Sequence, residues 1–256
     1  MRRPVRRSAA AAAGAVRSRP GRQSLLGFVV QVVGKALALG AVLLLTHLLS
    51  AGDYGRFAYA RSWVFLAGPL ATLGFGFASL RFLPGYIARD ERRDVAGYLL
   101  VSGAVSLGLS AIATAFLTPV IGVMALGILP VALMIVGRCA LQALGLAGLS
   151  FAPLLTLVPL LQTALMGTAL IWGPVDYDAA VIALVVALYA ACAVNLVLLG
   201  RIWHRRVGPA RPRIAPKLWV ATAGPMTVSA LAMVIYQQAD LLIVGATRPN
   251  EEAAAY

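Results

Sequence analysis

A few polar side chains stand inside long apolar stretches of this chain, and these residues have types and spacings that could do chemistry. They are Gln31, Lys35, Arg61, Arg138, Gln142, Gln237 and Asp240. Three pairs among them are three or four residues apart, which places both members of a pair on one helix face. A charge is costly inside a bilayer, so such side chains face protein, water or a ligand. The pattern predicts helices that each turn one polar stripe inward.

The signs of these charges indicate what the stripes could bind. Lys35 and Arg138 would give a water-filled cavity a cationic lining, and Asp240 would be their partner or a coupling-ion site. We therefore expect the substrate-binding residues to be Lys35, Arg138, Gln31, Gln142 and Arg61. Phosphate oxygens take charge-assisted hydrogen bonds from Lys and Arg, so the lining suits an anionic cargo such as a pyrophosphate-linked lipid. The alternative is structural, with an ion pair between Lys35 and Asp240 and with Arg138 and Arg61 reaching toward the interface.

The elements that must position these residues follow from composition. Hydrophobic residues make up 61% of the 256 residues and charged residues only 12%, and the mean hydropathy is +0.86. These values indicate an integral membrane protein, an all-α bundle of about seven transmembrane helices. The apolar segments fall at 25–49, 57–80, 96–118, 121–146, 151–172, 179–202 and 218–245.

The charge distribution predicts the orientation of the bundle. The formal net charge is +13, and 17 of the 22 Lys and Arg residues lie in three clusters, at 2–22, 81–93 and 201–217. The clusters occupy alternate connecting segments and therefore lie on the same side of the membrane, and an excess of Lys and Arg marks cytoplasmic segments. We therefore expect a cytoplasmic N-terminus, and we interpret the basic surplus as a topology signal instead of a nucleic-acid surface.

Enzymatic motifs are weak. Asp176 and Asp178 form a D-x-D pattern, which can hold a divalent metal on a sugar-phosphate donor, but their loop is only about six residues long. An acidic turn is the preferred interpretation. Cys139 and Cys192 stand in different apolar segments without metal-ligand spacing. The sequence therefore predicts no catalytic residue, no metal site and no cofactor, and a protein that is not an enzyme.

Three stretches carry a resemblance to a known family. They are LLSAGDYGRFA at 48–58, LGFGFASLRFLP at 73–84, and QQADLLIVG at 237–245 followed by EEAAAY at 251–256. The first is a tight bend between two predicted spans. Together they resemble the polysaccharide and O-antigen repeat-unit flippases, the polysaccharide transporter branch of the multidrug/oligosaccharidyl-lipid/polysaccharide exporter superfamily. The resemblance covers about residues 24–256.

The resemblance implies two six-helix lobes that enclose a cavity and move by alternating access. It divides the chain into a basic disordered cytoplasmic arm (1–23), an N-terminal six-helix lobe (24–202), a basic cytoplasmic linker (203–217) and the first helix of a truncated second lobe (218–256). It also implies a bacterial inner membrane location.

The implied cargo is a lipid-diphosphate-linked oligosaccharide flipped from the inner to the outer leaflet, with membrane lipids and no nucleic acid as further partners. Coupling to Na⁺ or H⁺ at Asp240 and contact with polysaccharide polymerase machinery stay open. A multidrug or cation antiporter of the same superfamily and a membrane-embedded glycan-processing enzyme are the alternative functions. Basic residues within the spans outnumber acidic ones, which favours an anionic cargo.

Overall fold

The structure is built from long helices. The computed structural model describes residues 19–173, 175–206, 208 and 210–247, and this part of the chain contains helices and turns without strands. The helices are α1 Arg19–Leu48, α2 Ala51–Leu70, α3 Phe75–Ala88, α4 Arg92–Ile121, α5 Ile128–Ala143, α6 Ala147–Ser150, α7 Val158–Trp172, α8 Tyr177–Arg206 and α9 Pro216–Thr247. The predicted all-α class is confirmed.

Five helical stretches within the described residues are long and apolar enough to cross a membrane. One of them, Arg92–Ala143, is 52 residues long and folds back on itself. A 3-10 turn at Gly122–Gly127 joins α4 to α5, and the two helices pack side by side. It therefore corresponds to two of the predicted spans. The 32-residue α9 coincides with the last one, so each predicted apolar segment coincides with helix.

The bend between the first two spans is short and capped. Helix α1 ends at Leu48 and α2 begins at Ala51. The Ser50 hydroxyl oxygen accepts from the Asp53 backbone N–H at 3.2 Å, and the same hydroxyl donates to the Asp53 carboxylate at 2.7 Å. A capped amide satisfies one of the donors that a helix start leaves unpaired. The polar residues Ser50 and Asp53 of the bend therefore cap the start of α2.

The second predicted span, 57–80, is interrupted. Helix α2 ends at Leu70 after Pro69, and α3 starts at Phe75. Between them Leu73 and Gly74 have φ values of 44° and 70°, a left-handed conformation that ends an α-helix and suits glycine. Helix α9 packs along both α2 and α3. The break therefore lies against a neighbouring helix and within the bundle.

The ends of the predicted domains are described in part. Helix α1 starts at Arg19, so residues 19–23 of the predicted arm are helical, and residues 1–18 lie outside the described residues. Helix α8 extends to Arg206 and α9 starts at Pro216, so the connection between them is shorter than the predicted linker, 203–217. The segment after Thr247 lies outside the described residues, and the second lobe stays a prediction.

The core is formed around α2, α5 and α8. Val64 of α2 and Leu188 of α8 both border Gly127 at the start of α5, where an added Cβ would meet them at 3.2 and 3.1 Å. All three helices run in the same direction, because later residues of α5 contact later residues of α2–α3 and α8: Gly68 meets Val131 and Gly76 meets Ile135. Helices α1, α4 and α7 pack around these three.

One end of the bundle collects the basic loops. The Arg213 backbone N–H donates to the Arg93 carbonyl at 2.9 Å, and the Arg213 guanidinium lies 3.9 Å from the Asp94 carboxylate. Above this end lies an aromatic cluster in which the Trp219 indole N–H donates to the Tyr86 hydroxyl at 3.0 Å. The two basic loops therefore meet at a single end, as the positive-inside pattern expects of cytoplasmic loops.

Candidate functional site

A cavity of about 240 Å³ lies between α1, α2, α7 and α8. Its polar lining consists of Lys35, Arg61 and Gln162, and the rest is mainly aliphatic and aromatic. An apolar wall with a few convergent polar groups is the general form of a ligand site. The low local dielectric of such a wall strengthens any electrostatic interaction made inside it.

Lys35 of α1 and Arg61 of α2 both line this cavity, where the Lys35 side chain is exposed and the Arg61 side chain is half-buried. Lys35 lies about 20 Å of helix before the end of α1, and Arg61 lies about 15 Å after the start of α2. Since α1 and α2 are joined by the short bend at Ser50, the two cations are at similar depth. The Arg61 guanidinium stands 5.2 Å from the Phe65 ring centre, a cation–π contact on its own helix.

Gln162 is the functional candidate that sequence reasoning did not select. Its side chain is 5% exposed, and its Nε2 has no hydrogen-bond partner among the described protein groups. A buried amide donor without an acceptor costs about 1–3 kcal/mol. The available signal was its position as a polar residue inside the segment 151–172, where it lacks a second polar residue on the same helix face to form a stripe.

The helices around the cavity are shaped by a distortion at the start of α7. Residues Pro153–Leu157 form a π-helical turn, a form frequent at functional sites, and Pro159 follows in the first turn of α7. This segment packs against α1, where the Thr156 hydroxyl donates to the Val30 carbonyl at 3.4 Å. At Gly34 an added Cβ would lie 2.6 Å from the Leu155 carbonyl oxygen. Glycine therefore permits the close helix contact next to Lys35.

Arg138 occupies a different environment. Its guanidinium lies 5.3 Å from the Phe151 ring centre, its Nε is buried without a partner, and it does not line the cavity of Lys35 and Arg61. Gln31 and Gln142 are half-buried and also lie outside that lining. The structure thus brings together two of the five expected binding residues. The roles of the other three stay predictions.

The acidic candidates are described unevenly. The side chains of Gln237 and Asp240 lie outside the described residues. The coupling site expected at Asp240 and its alternative, an ion pair with Lys35, therefore stay predictions. The Asp176 carboxylate accepts from the Ala179 backbone N–H at 2.9 Å and caps the start of α8. Asp178 lines a second cavity near the same helix start. The two carboxylates of the D-x-D pattern therefore have different surroundings.

The charged side chains described in the cavity lining are cationic. Among the described residues, the lining carries two cations and an amide donor and no acidic side chain. Within the described part of the chain, ion pairs involve only Arg89, Glu91, Arg92, Asp90, Arg213 and Asp94. A cationic cavity in an apolar wall attracts an anion that accepts several hydrogen bonds, and Lys and Arg form such bonds with phosphate and with carboxylate oxygens.

The fold and this cavity define a multi-pass membrane protein with a cationic cavity between its helices. The chain belongs to the polysaccharide biosynthesis protein family, whose family model matches residues 21–256. The match confirms the family resemblance expected from the sequence and links the protein to polysaccharide synthesis and export. Comparison with curated proteins and with solved structures gives no significant match.

Proposed function

We propose that this protein is a flippase that moves a lipid-diphosphate-linked oligosaccharide from the inner to the outer leaflet of the bacterial plasma membrane by alternating access. The observation that carries the proposal is the convergence of Lys35, Arg61 and the unpartnered amide of Gln162 on one cavity. Each of these groups donates hydrogen bonds. A diphosphate supplies oxygens for all of them.

The size of the cavity limits which part of the cargo it holds. Sites for drug-sized ligands are about 300–1,000 Å³, and this cavity is about 240 Å³. It therefore suits the compact diphosphate and leaves the glycan and the lipid chain outside. Burial in the apolar wall makes the contacts of Arg61 and Gln162 with the diphosphate stronger than they would be in water, whereas the exposed Lys35 contributes a more screened attraction.

The charge of the cavity argues against cation export. A cationic drug would meet Lys35 and Arg61 at short range in a region of low dielectric, where like charges repel strongly. An antiporter that handles cations generally uses an acidic cavity residue, and none of the described residues that line this cavity is acidic.

The experiment is to replace Lys35 and Arg61 singly by Gln in the full chain and to measure surface polysaccharide in cells that depend on this gene. Each change removes a charge-assisted hydrogen bond worth about 1.5–3 kcal/mol, so transport should fall about 10- to 100-fold. Arg81→Gln is the matched control, because Arg81 is exposed on α3 and away from the cavity.

Membrane abundance is measured in parallel by immunoblotting. Normal surface polysaccharide in both variants, at normal abundance, would contradict the assigned roles. Loss of polysaccharide in Arg81→Gln to the same degree would show a general dependence on basic residues and would also contradict them.

A further inference from the structure

A second cavity, of about 440 Å³, lies at the end of the bundle opposite the basic loops. It is lined by residues from the start of α2, the end of α4 and the start of α8. Its polar and aromatic residues are Arg56, Tyr59, Tyr177 and Asp178. At the other end of α4, residues 92–97 meet the loop that carries Arg213. The cavity therefore opens toward the side of the membrane that the sequence predicts to be external.

The aromatic and charged groups of this cavity hold one another in place. The Arg56 guanidinium carbon lies 4.4 Å from the centre of the Tyr177 ring, within the range of a cation–π contact. Tyr59 follows Arg56 by three residues on α2 and contacts Trp63 edge-to-face at 6.3 Å. Gly122, with a φ of 57°, ends α4 at the wall of the cavity. Two tyrosines are thus presented by separate helices to one space.

The chemistry of this lining differs from that of the cavity lined by Lys35, Arg61 and Gln162. One guanidinium and one carboxylate give a formal charge of zero among the lining residues, so an anion gains little here. Tyrosine hydroxyls both donate and accept, Arg56 donates and Asp178 accepts. This mixture matches hydroxyl groups, which themselves donate and accept. Tyrosine rings add flat apolar surface against which the C–H face of a sugar ring can pack.

We propose that this cavity binds neutral pyranose units of an oligosaccharide. The volume is that of a small-molecule site, and a glycerol headgroup would lack the ring face that the tyrosines recognise. The binding itself is independent of any transport step. A link to the cargo rests on the proposed function. Arg56 and Arg61 lie five residues, about 8 Å, apart along α2, so this cavity and the cavity of Lys35 and Arg61 lie close together along that helix but on different faces of it.

The test uses the full chain in phosphatidylcholine nanodiscs with two lipid-free probes, maltotriose and the trimer of N-acetylglucosamine. Saturation-transfer difference NMR at about 10 mM sugar reports binding in the weak range expected for free saccharides. We expect a signal from at least one trisaccharide. Replacing Tyr177 by Leu should reduce it about two- to tenfold through loss of the ring contact, and Tyr177→Phe should retain most of it.

Two variants make the test specific. Asp178→Asn removes the acceptor charge without altering either ring and should also weaken binding, which covers the case in which Tyr177→Leu fails to fold. Tyr189→Leu changes an exposed tyrosine of the same helix outside the cavity and should leave the signal unchanged. Circular dichroism verifies that each variant is helical.

Three results would overturn the proposal. The first is the absence of a signal from either trisaccharide. The second is an equal signal in the wild-type protein and in folded Tyr177→Leu and Asp178→Asn. The third is displacement of the trisaccharide by inorganic pyrophosphate, which would identify an anion site. A binding signal in a protein that fails to flip lipid would refute the proposed function and leave this site standing, so the two failures are distinguishable.

Discussion

Gln162→Met should stabilise the resting protein while it impairs transport. The wild-type amide is 5% exposed and its Nε2 has no hydrogen-bond partner among the described protein groups, and a buried donor without an acceptor costs about 1–3 kcal/mol. Methionine has similar length, adapts to irregular space and needs no partner. We therefore expect the free energy of unfolding to rise by about 1–3 kcal/mol. Transport should fall about tenfold, because one donor to the phosphate is lost.

Unfolding is measured by steric trapping in bicelles, and transport by flipping of a fluorescent lipid diphosphate in liposomes. Thr168→Val is the matched control on the same helix. The Thr168 hydroxyl donates to the Leu165 carbonyl one turn before it at 2.8 Å and is exposed, so both quantities should change little. A loss of stability in Gln162→Met would refute the reasoning, because it would mean that the amide is satisfied in the resting protein. Unchanged flipping would refute the role of Gln162 as a phosphate donor.

Three further predictions concern the scaffold, each measured as the free energy of unfolding. Gly34→Ala should lower the free energy of unfolding by about 1–3 kcal/mol, because the new methyl would lie 2.6 Å from the Leu155 carbonyl oxygen. The control Gly40→Ala adds a methyl in open space and should be neutral or slightly stabilising. Equal effects of the two substitutions would refute the close contact at Gly34. Ser50→Ala should cost about 1 kcal/mol through loss of the α2 cap, and an unchanged value would argue against the capped bend. Tyr98→Phe should cost about 1 kcal/mol, because its hydroxyl donates to a buried carbonyl of α3 at 2.6 Å; a neutral result would show that this bond contributes nothing.

Much of the helical framework could be predicted from sequence because the bilayer imposes it. Backbone groups in lipid must bond within a helix, so apolar length alone locates the spans. The same reasoning identified Lys35 and Arg61, since a charge at that depth must face protein, water or a ligand. The family was recognisable from short stretches such as residues 48–58. In the structure the polar residues Ser50 and Asp53 of this stretch form a capped bend.

The lateral arrangement of the helices could not be predicted in the same way. Helical spacing shows which residues share a face but not which faces meet, and so Arg138 was grouped with Lys35 although it packs on Phe151. Gln162 became a candidate only when its burial without a partner was known. The break at Leu73 and Gly74 lies against Ala223 and Thr227 of α9, a contact that hydropathy does not reveal.

The central claim is tested most directly with the purified full chain reconstituted in liposomes that carry a fluorescent lipid-diphosphate oligosaccharide. Accessibility of the label to an external quencher measures movement between leaflets. Our account predicts movement faster than in protein-free liposomes, reduced about 10- to 100-fold by Lys35→Gln, and little movement of a neutral glycolipid with the same lipid chain. Equal rates for the diphosphate lipid and the neutral glycolipid, or export of a cationic dye that depends on Asp240, would contradict a cationic site that recognises phosphate.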